Sequence, residues 1–428
     1  MRIVIAGQTY YPGNNGQAIF TIHLAEGLAR AGHQVQVIVP WGQFHTGSQT
    51  IHGVRVHTLR SLNFGWIHPD VWMPFFPSAE VRRIFDDEKP DIVHIQDHYF
   101  VSQSVAATAR QLGLPVIGTN HFLPENLLPY LSRLPVPRQV KVNVLWGMML
   151  SVYNRLQAIT TPTQTAANIL LNQKVRPPVT AVSCGVDIDF FHPDPGLDRG
   201  AACAQFGLDP RRVLFLYVGR LDGEKRIDLL LRAVARLKEQ GRQDIQLAVA
   251  GQGAAGGALR ELAQTLDLAG QVRFLGYVPN ADLPRLYQTG QIFAMPSPEE
   301  LQSIATLEAM ASGLPVLAAN ARALPELVTP GVNGALFEPN QVEAVATGMA
   351  ALIDQREAWE RMGAASRARA VEHSLQNTIR RYEAIYQGIL EEAGQAEKAG
   401  VPVYTTGLDR ARGQVSGPRR SRAGRGPA

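Results

Sequence analysis

Twice along the chain, a run of aliphatic and β-branched residues ends in a glycine-bearing loop and leads into an amphipathic helix. The first instance is MRIVIAG, the loop QTYYPGNNGQ, a helix over about residues 18–31 and a second apolar run, HQVQVIVP. Strand, loop, helix and strand in this order form a βαβ unit, whose two strands lie parallel with the helix packed across them. The second instance is RVLFLYVGRLDGEKRIDLLLRAVARL, from residue 212, followed by the strand-like runs IQLAVAGQGA and VRFLGYVP. A length of 428 residues is enough for two cores, and 45% hydrophobic with 18% charged content is ordinary for a soluble globular chain. The expectation is α/β, with two Rossmann-like parallel-sheet domains.

Open parallel sheets place ligands beyond the carboxyl ends of their strands. PDIVHIQD (residues 90–97) leads into His98 and Tyr99, and LPVIGTNHF (residues 114–122) carries His121. Asp97, His98 and His121 each follow an apolar run and are expected at a cleft, whereas His94 lies within its strand and reads as structural. In the second half, Arg220 and Lys225 flank Asp222, Gly223 and Glu224, so two cations can converge on one anion. Gly13 and Gly16 can let backbone approach a phosphate, although their spacing is not the GxGxxG fingerprint.

Residues 297–315, SPEELQSIATLEAMASGLP, hold Glu300 and Glu308 with seven residues between them. Ile304, Leu307 and Ala311 recur at helical spacing from Ser303, and Gly313 and Pro315 supply the stop. Glu300 therefore stands at the mouth of a helix N-terminus, where unpaired amides and the dipole favour anions. An acid beside an anion site suits neutral hydroxyls, and sugar hydroxyls meet that description.

This glutamate spacing resembles the retaining family-4 glycosyltransferases of the GT-B fold. The wording of ELQSIATLEAMA, HYF and TNHFLPENLLPYL is similar to the bacterial 1,2-diacylglycerol 3-alpha-glucosyltransferases. The resemblance covers roughly residues 1–390 through several motifs in order. It implies a nucleotide-sugar donor, UDP-glucose, and the sn-3 hydroxyl of diacylglycerol as acceptor, with anomeric configuration retained. Glu300 then contacts the donor sugar, Glu308 the ribose, and Arg220 and Lys225 the diphosphate. Gly16, Gln302 and the amides at Ser303 and Ile304 belong to the donor site, His121 lies near the anomeric carbon, and backbone at Tyr277 and Val278 reads the base. Asp97 and His98 are acceptor candidates.

The chain departs from the family pattern in three places. Asn15 and Gly16 replace adjacent glycines; Leu301, Gln302 and Ser303 stand where an aromatic and a glycine are usual; Gly290 and Gln291 replace Ala-Asp. The alternatives are another hexose, such as mannose, moved to a phosphoinositide, polyprenyl or soluble acceptor; a nucleotide-sugar epimerase; or a non-catalytic lipid-binding protein. No carboxylate cluster for a metal and no tightly bound cofactor is expected, since cationic side chains can do a metal's work at a departing diphosphate.

No Asp or Glu occurs from residue 126 to 186, whereas Arg133, Arg138, Lys141, Arg155, Lys174 and Arg176 do. VKVNVLWGMMLSVYNRL mixes Trp146 and two methionines with these cations, a pattern suited to an anionic headgroup layer. Arg133, Arg138, Lys141, Trp146 and Arg155 are the expected membrane contacts. No nucleic-acid-binding module accompanies them. The two cysteines give no disulfide framework, no signal peptide is expected ahead of the first strand, and no apolar run reaches the ~20 residues that span a bilayer. The expected place is the cytoplasmic face of the cell membrane, bound peripherally. The expected organisation is an acceptor-side domain over 1–187, a nucleotide-sugar domain over 188–370, a helix over 371–390 returning to the first domain, and a disordered basic tail over 391–428.

Overall fold

The computed structural model describes residues 1–11, 15–43, 47–63, 72–75, 77–131 and 135–398. The first sheet consists of β1 (Arg2–Ala6), β2 (Gln34–Gln43), β3 (Gly47–Ile51), β4 (Val54–Asn63), β5 (Trp72–Pro74), β6 (Ile92–Ile95), β7 (Val116–Thr119), β8 (Ala158–Thr161) and β9 (Val179–Ala181). Their spatial order is β3-β4-β2-β1-β6-β7-β8-β9, with β5 beside β4. The second sheet runs β12-β11-β10-β13-β14-β15, from β10 (Val213–Val218), β11 (Ile245–Ala250), β12 (Val272–Gly276), β13 (Ile292–Met295), β14 (Val316–Ala319) and β15 (Gly334–Phe337). All its pairings are parallel.

Side-chain alternation accounts for the apolar runs. In β1, Ile3 and Ile5 enter one core and Val4 and Ala6 the other, so the central strand is buried on both faces. The first sheet is not wholly parallel, because β3 and β5 run antiparallel to β4. Its edge hairpin turns at His52 and Gly53, both in the left-handed region (φ 46° and 82°), the backbone that two-residue hairpin loops require.

The chain passes between the sheets twice, side by side. Val186 N–H donates to His373 O (3.0 Å) and Leu375 N–H to Val186 O (2.9 Å). Arg367, in the helix Trp359–Glu372, fixes this crossing: it donates to Phe191 O (2.7 Å), Ile188 O (2.9 Å) and Ala311 O (2.9 Å). The helix Leu375–Lys398 then returns to the first core, where Leu375, Ile379, Tyr382 and Tyr386 pack with Ile3, Ile5 and Phe20. Tyr386 Oη lies 2.8 Å from His94 Nδ1, which gives that buried histidine its structural partner. The helix runs eight residues past the expected end at 390, because EEAGQAEK is rich in helix formers that extend an existing helix at little cost. The basic stretch of the tail lies outside the described residues.

Candidate active site

Two helix N-termini meet across the cleft. Asn15 caps the helix Gly16–Arg30 by accepting from Ala18 N–H (2.9 Å), and Ser303 caps Ile304–Ala311 by accepting from Thr306 N–H (3.2 Å). A Cβ placed on Gly16 would lie 4.0 Å from Ile304 Cδ1, so the first turns of both helices border one space. Their dipoles make it favourable for an anion. Gly13 lies outside the described residues.

The cations come from the turn after β10. Tyr217 Oη donates to Arg220 O (2.8 Å) and fixes that turn. Gly251 permits the close approach of the neighbouring strand end, since a Cβ there would overlap Gly219 O. Arg220 pairs with Glu224 (2.9 Å) and with Asp222. Lys225 Nζ lies 2.7 Å from Glu300 Oε1, with 19% and 10% of the two side chains exposed. Burial alone would depress the Lys225 ammonium, but the adjoining carboxylate outweighs it and holds the group above its usual value. Glu300 is thus fixed by a cation, with its other carboxylate oxygen able to take a hydroxyl.

Glu308 is buried, and Tyr287 Oη donates to its Oε2 (2.7 Å). Burial pushes its carboxyl up to about 7, with the tyrosine bond opposing part of that shift. Beyond β12, Tyr277 is 68% exposed, while Val278 packs partly against the core of the second domain.

On the first-domain side, His121 Nε2 lies 2.9 Å from Gln96 Oε1 and the ring packs on Phe20, with centroids 4.7 Å apart. Burial lowers His121 to about 3 and His98 to about 4, so both rings are neutral at physiological pH. Tyr99 and Phe122 stack almost parallel, 10° apart at 5.6 Å, and His98 lies within 5.5 Å of each ring. The ends of β6 and β7 thus form an aromatic platform. Gln96, which locates His121, stands one residue before the expected Asp97, and only its strand-end place could have marked it.

Four expected contacts are placed differently. Asp97 is fully buried and accepts from Gln8 N–H (2.6 Å), Gln17 Nε2 (2.9 Å) and Tyr99 N–H (2.9 Å), so both oxygens organise first-domain loops. Gln302 Oε1 accepts from Cys184 N–H (2.6 Å) and Ser183 Oγ (3.2 Å), so the first-domain segment that leads into the crossing takes that oxygen. Trp146 is 5% exposed and donates to Glu125 (3.0 Å), because its helix Arg138–Tyr153 turns Val142, Trp146, Met149 and Tyr153 inward; it is not a surface contact. Lys141 Nζ is held by Leu131 O (2.7 Å). Arg138 and Arg155 are exposed, and Arg133 lies outside the described residues.

Among the described residues, no group of three His, Cys, Asp or Glu side chains could hold a metal ion. No described helix is long and apolar enough to cross a membrane.

Residues 14–190 match the family described as Glycosyltransferase Family 4, and residues 198–369 the family described as Glycosyl transferases group 1. The D-inositol 3-phosphate glycosyltransferase of Thermobifida fusca (strain YX) is 30% identical over 397 residues, 88% of this chain and 89% of its own length. The protein of the same name from Frankia alni is 29% identical over 89% of this chain and 96% of its own. Among solved structures, sucrose-phosphate synthase from Thermosynechococcus elongatus superposes with a TM-score of 0.74 at 19% identity, covering 92% of this chain and all of that one. Anabaena HepE in complex with UDP-glucose gives 0.70 at 19% identity, covering 91% and 100%. These two likenesses concern the fold, which is GT-B.

Proposed function

Because the chain belongs to the glycosyltransferases of family 4 and group 1, we propose that it moves glucose from UDP-glucose to the sn-3 hydroxyl of diacylglycerol, giving an α-glucosyl diacylglycerol. The enzyme class is retaining hexosyl transfer from a nucleotide sugar; the sugar, the base, the acceptor and the residue roles are the proposal. A structural neighbour solved with UDP-glucose supports the donor.

The observation that carries the acceptor is the character of the first-domain strand ends. Residues 96–100 and 120–123 include His98, Tyr99, Phe100, His121 and Phe122 and contain no lysine or arginine. Both histidines are held neutral by burial. Such a surface suits an uncharged, partly apolar alcohol, and it offers no cation there for a phosphorylated one. The names of the curated relatives favour a second reading, in which a phosphorylated inositol is the acceptor. Parallel assays with diacylglycerol vesicles and with inositol 3-phosphate decide between the two.

In the reaction, the bond from the anomeric carbon to the β-phosphate oxygen breaks and the departing UDP takes its electron pair. The acceptor oxygen forms the new bond on the same face, and its proton passes to the leaving phosphate. Negative charge grows on that phosphate, so fixed donors aimed there lower the barrier. Arg220, Lys225 and the amides at Gly16, Ser303 and Ile304 supply them. Glu300 orients the sugar, Glu308 holds the ribose, and neutral His121 borders the anomeric face. Backbone at Tyr277 and Val278 lies at the base, and His98 borders the acceptor.

Access to a lipid acceptor also needs a membrane-facing surface. Val140, Val144 and Met148 recur every fourth residue on the exposed face of Arg138–Tyr153 and are 47%, 56% and 48% exposed. With exposed Arg138 and Arg155 on the same segment, this face suits the headgroup layer of an anionic bilayer on the inner side of the cell membrane.

A further inference from the structure

Residues 300–303 pass from the second domain to the first and back. Glu300 belongs to the second: its carboxylate meets Lys225 and its carbonyl accepts from Ala323 N–H (3.2 Å). Leu301 belongs to the first, where it is 6% exposed in the core that contains Leu123, Trp146 and Tyr153, and its carbonyl accepts from Thr163 Oγ1 (2.9 Å). Gln302 also faces the first, holding Cys184 N–H and Ser183 Oγ on one oxygen. Ser303 returns to the second as the cap of Ile304–Ala311. Close by, the Glu326 carboxylate of the second domain accepts from Gln164 N–H (3.1 Å) and Thr165 N–H (2.7 Å), capping the first-domain helix Gln164–Asn172.

We infer that Gln302 is a positioning residue that makes the shape of the sugar-binding loop depend on closure of the two domains. Glu300 and Ser303 flank the residues anchored in the opposite domain, so the loop loses its fixed course when the domains part. Gln302 acts through the loop and touches no reacting atom in this assignment. Glu326 adds a second hold, because its carboxylate satisfies two helix amides that separation would release. The inference rests on reading the cleft as the donor site.

The test measures the radius of gyration by X-ray scattering, without substrate and with UDP-glucose, beside UDP-glucose binding by calorimetry. The unaltered protein, Gln302→Met, Gln302→Glu and Glu326→Gln are compared. Gln302→Met keeps the length and loses the acceptor; it is expected to be larger in radius without substrate and to bind UDP-glucose about tenfold more weakly, the scale of one or two lost hydrogen bonds. Gln302→Glu keeps an oxygen for Cys184 N–H and Ser183 Oγ and is expected to restore the small radius. Glu326→Gln, whose change lies at the rim, is expected to move the radius in the same direction by less, and serves if Gln302→Met does not fold. A purely structural role would lower the unfolding midpoint with radius and binding unchanged, and that result overturns the inference. Failure of UDP-glucose to bind the unaltered protein overturns the donor reading instead, leaving the radii to judge Gln302.

Discussion

Lys225 Nζ lies 2.7 Å from Glu300 Oε1, joining the turn after β10 to the loop before the helix Ile304–Ala311. The pair fixes a cation and a hydroxyl acceptor side by side, as a glycosyl phosphate requires of its two halves. Removing the cation leaves a mostly buried carboxylate unpaired. Lys225→Met is therefore expected to lower the unfolding midpoint as well as activity. Glu300→Gln keeps the shape and is expected to reduce kcat roughly a hundredfold to a thousandfold, the scale of one transition-state contact, with UDP binding little changed. Steady-state kinetics and calorimetry on the two variants check the split.

Glu308 gives a pH dependence of known sign. Its carboxyl is raised from 4.5 to about 7 in the fold, so the folded protein keeps a proton that the unfolded chain has released. The contribution to stability is complete below the unfolded value and declines as pH rises toward the folded one. Glu308→Gln removes that decline, and it is expected to stabilise the fold at pH 8 by at most about 3 kcal/mol, with little difference at pH 4. Thermal unfolding of both proteins at the two pH values measures it. The same variant is expected to bind the donor less tightly at pH 8.

Arg367 is expected to be the costliest single change away from the cleft. Its guanidinium serves the carbonyls of Ile188, Phe191 and Ala311, which join the crossing segment to the end of the helix Ile304–Ala311. Arg367→Met leaves three acceptors without this donor and is expected to cost about 2–4 kcal/mol. At this domain size that is a fall of roughly 4–15 °C in unfolding midpoint. Calorimetric scanning checks it.

Val144→Glu with Met148→Glu places two acids on the exposed face of Arg138–Tyr153. Binding to vesicles containing anionic lipid is expected to fall by about tenfold or more, while UDP-glucose binding stays unchanged. Co-sedimentation with vesicles and calorimetry give the two readings.

The two sheets were legible because buried parallel strands must be apolar throughout and their turns need glycine, as in MRIVIAG and RVLFLYVG. The helix after Ser303 was legible from its period and its stop. Asp97 and Trp146 were not, because a strand-end acid and a helix tryptophan look alike whether they face a ligand, a lipid or their own domain. Their partners are Gln8, Gln17 and Glu125, and no local pattern names them. The interdomain holds were more remote still: Gln302 meets Cys184 and Glu326 meets Thr165 across more than a hundred residues. Only the folded chain brings such pairs together. Leu301 and Gln302 stood out in the sequence, but the burial of Leu301 among Leu123, Trp146 and Tyr153 shows only in the fold.

Glucosylation of diacylglycerol is measured by following labelled glucose from UDP-glucose into organic-extractable lipid, with diacylglycerol in anionic vesicles as acceptor and inositol 3-phosphate in a parallel reaction. A labelled α-glucosyl diacylglycerol that depends on diacylglycerol and is lost in Glu300→Gln is the expected product. Label transferred to inositol 3-phosphate, with none in the lipid fraction, would contradict it.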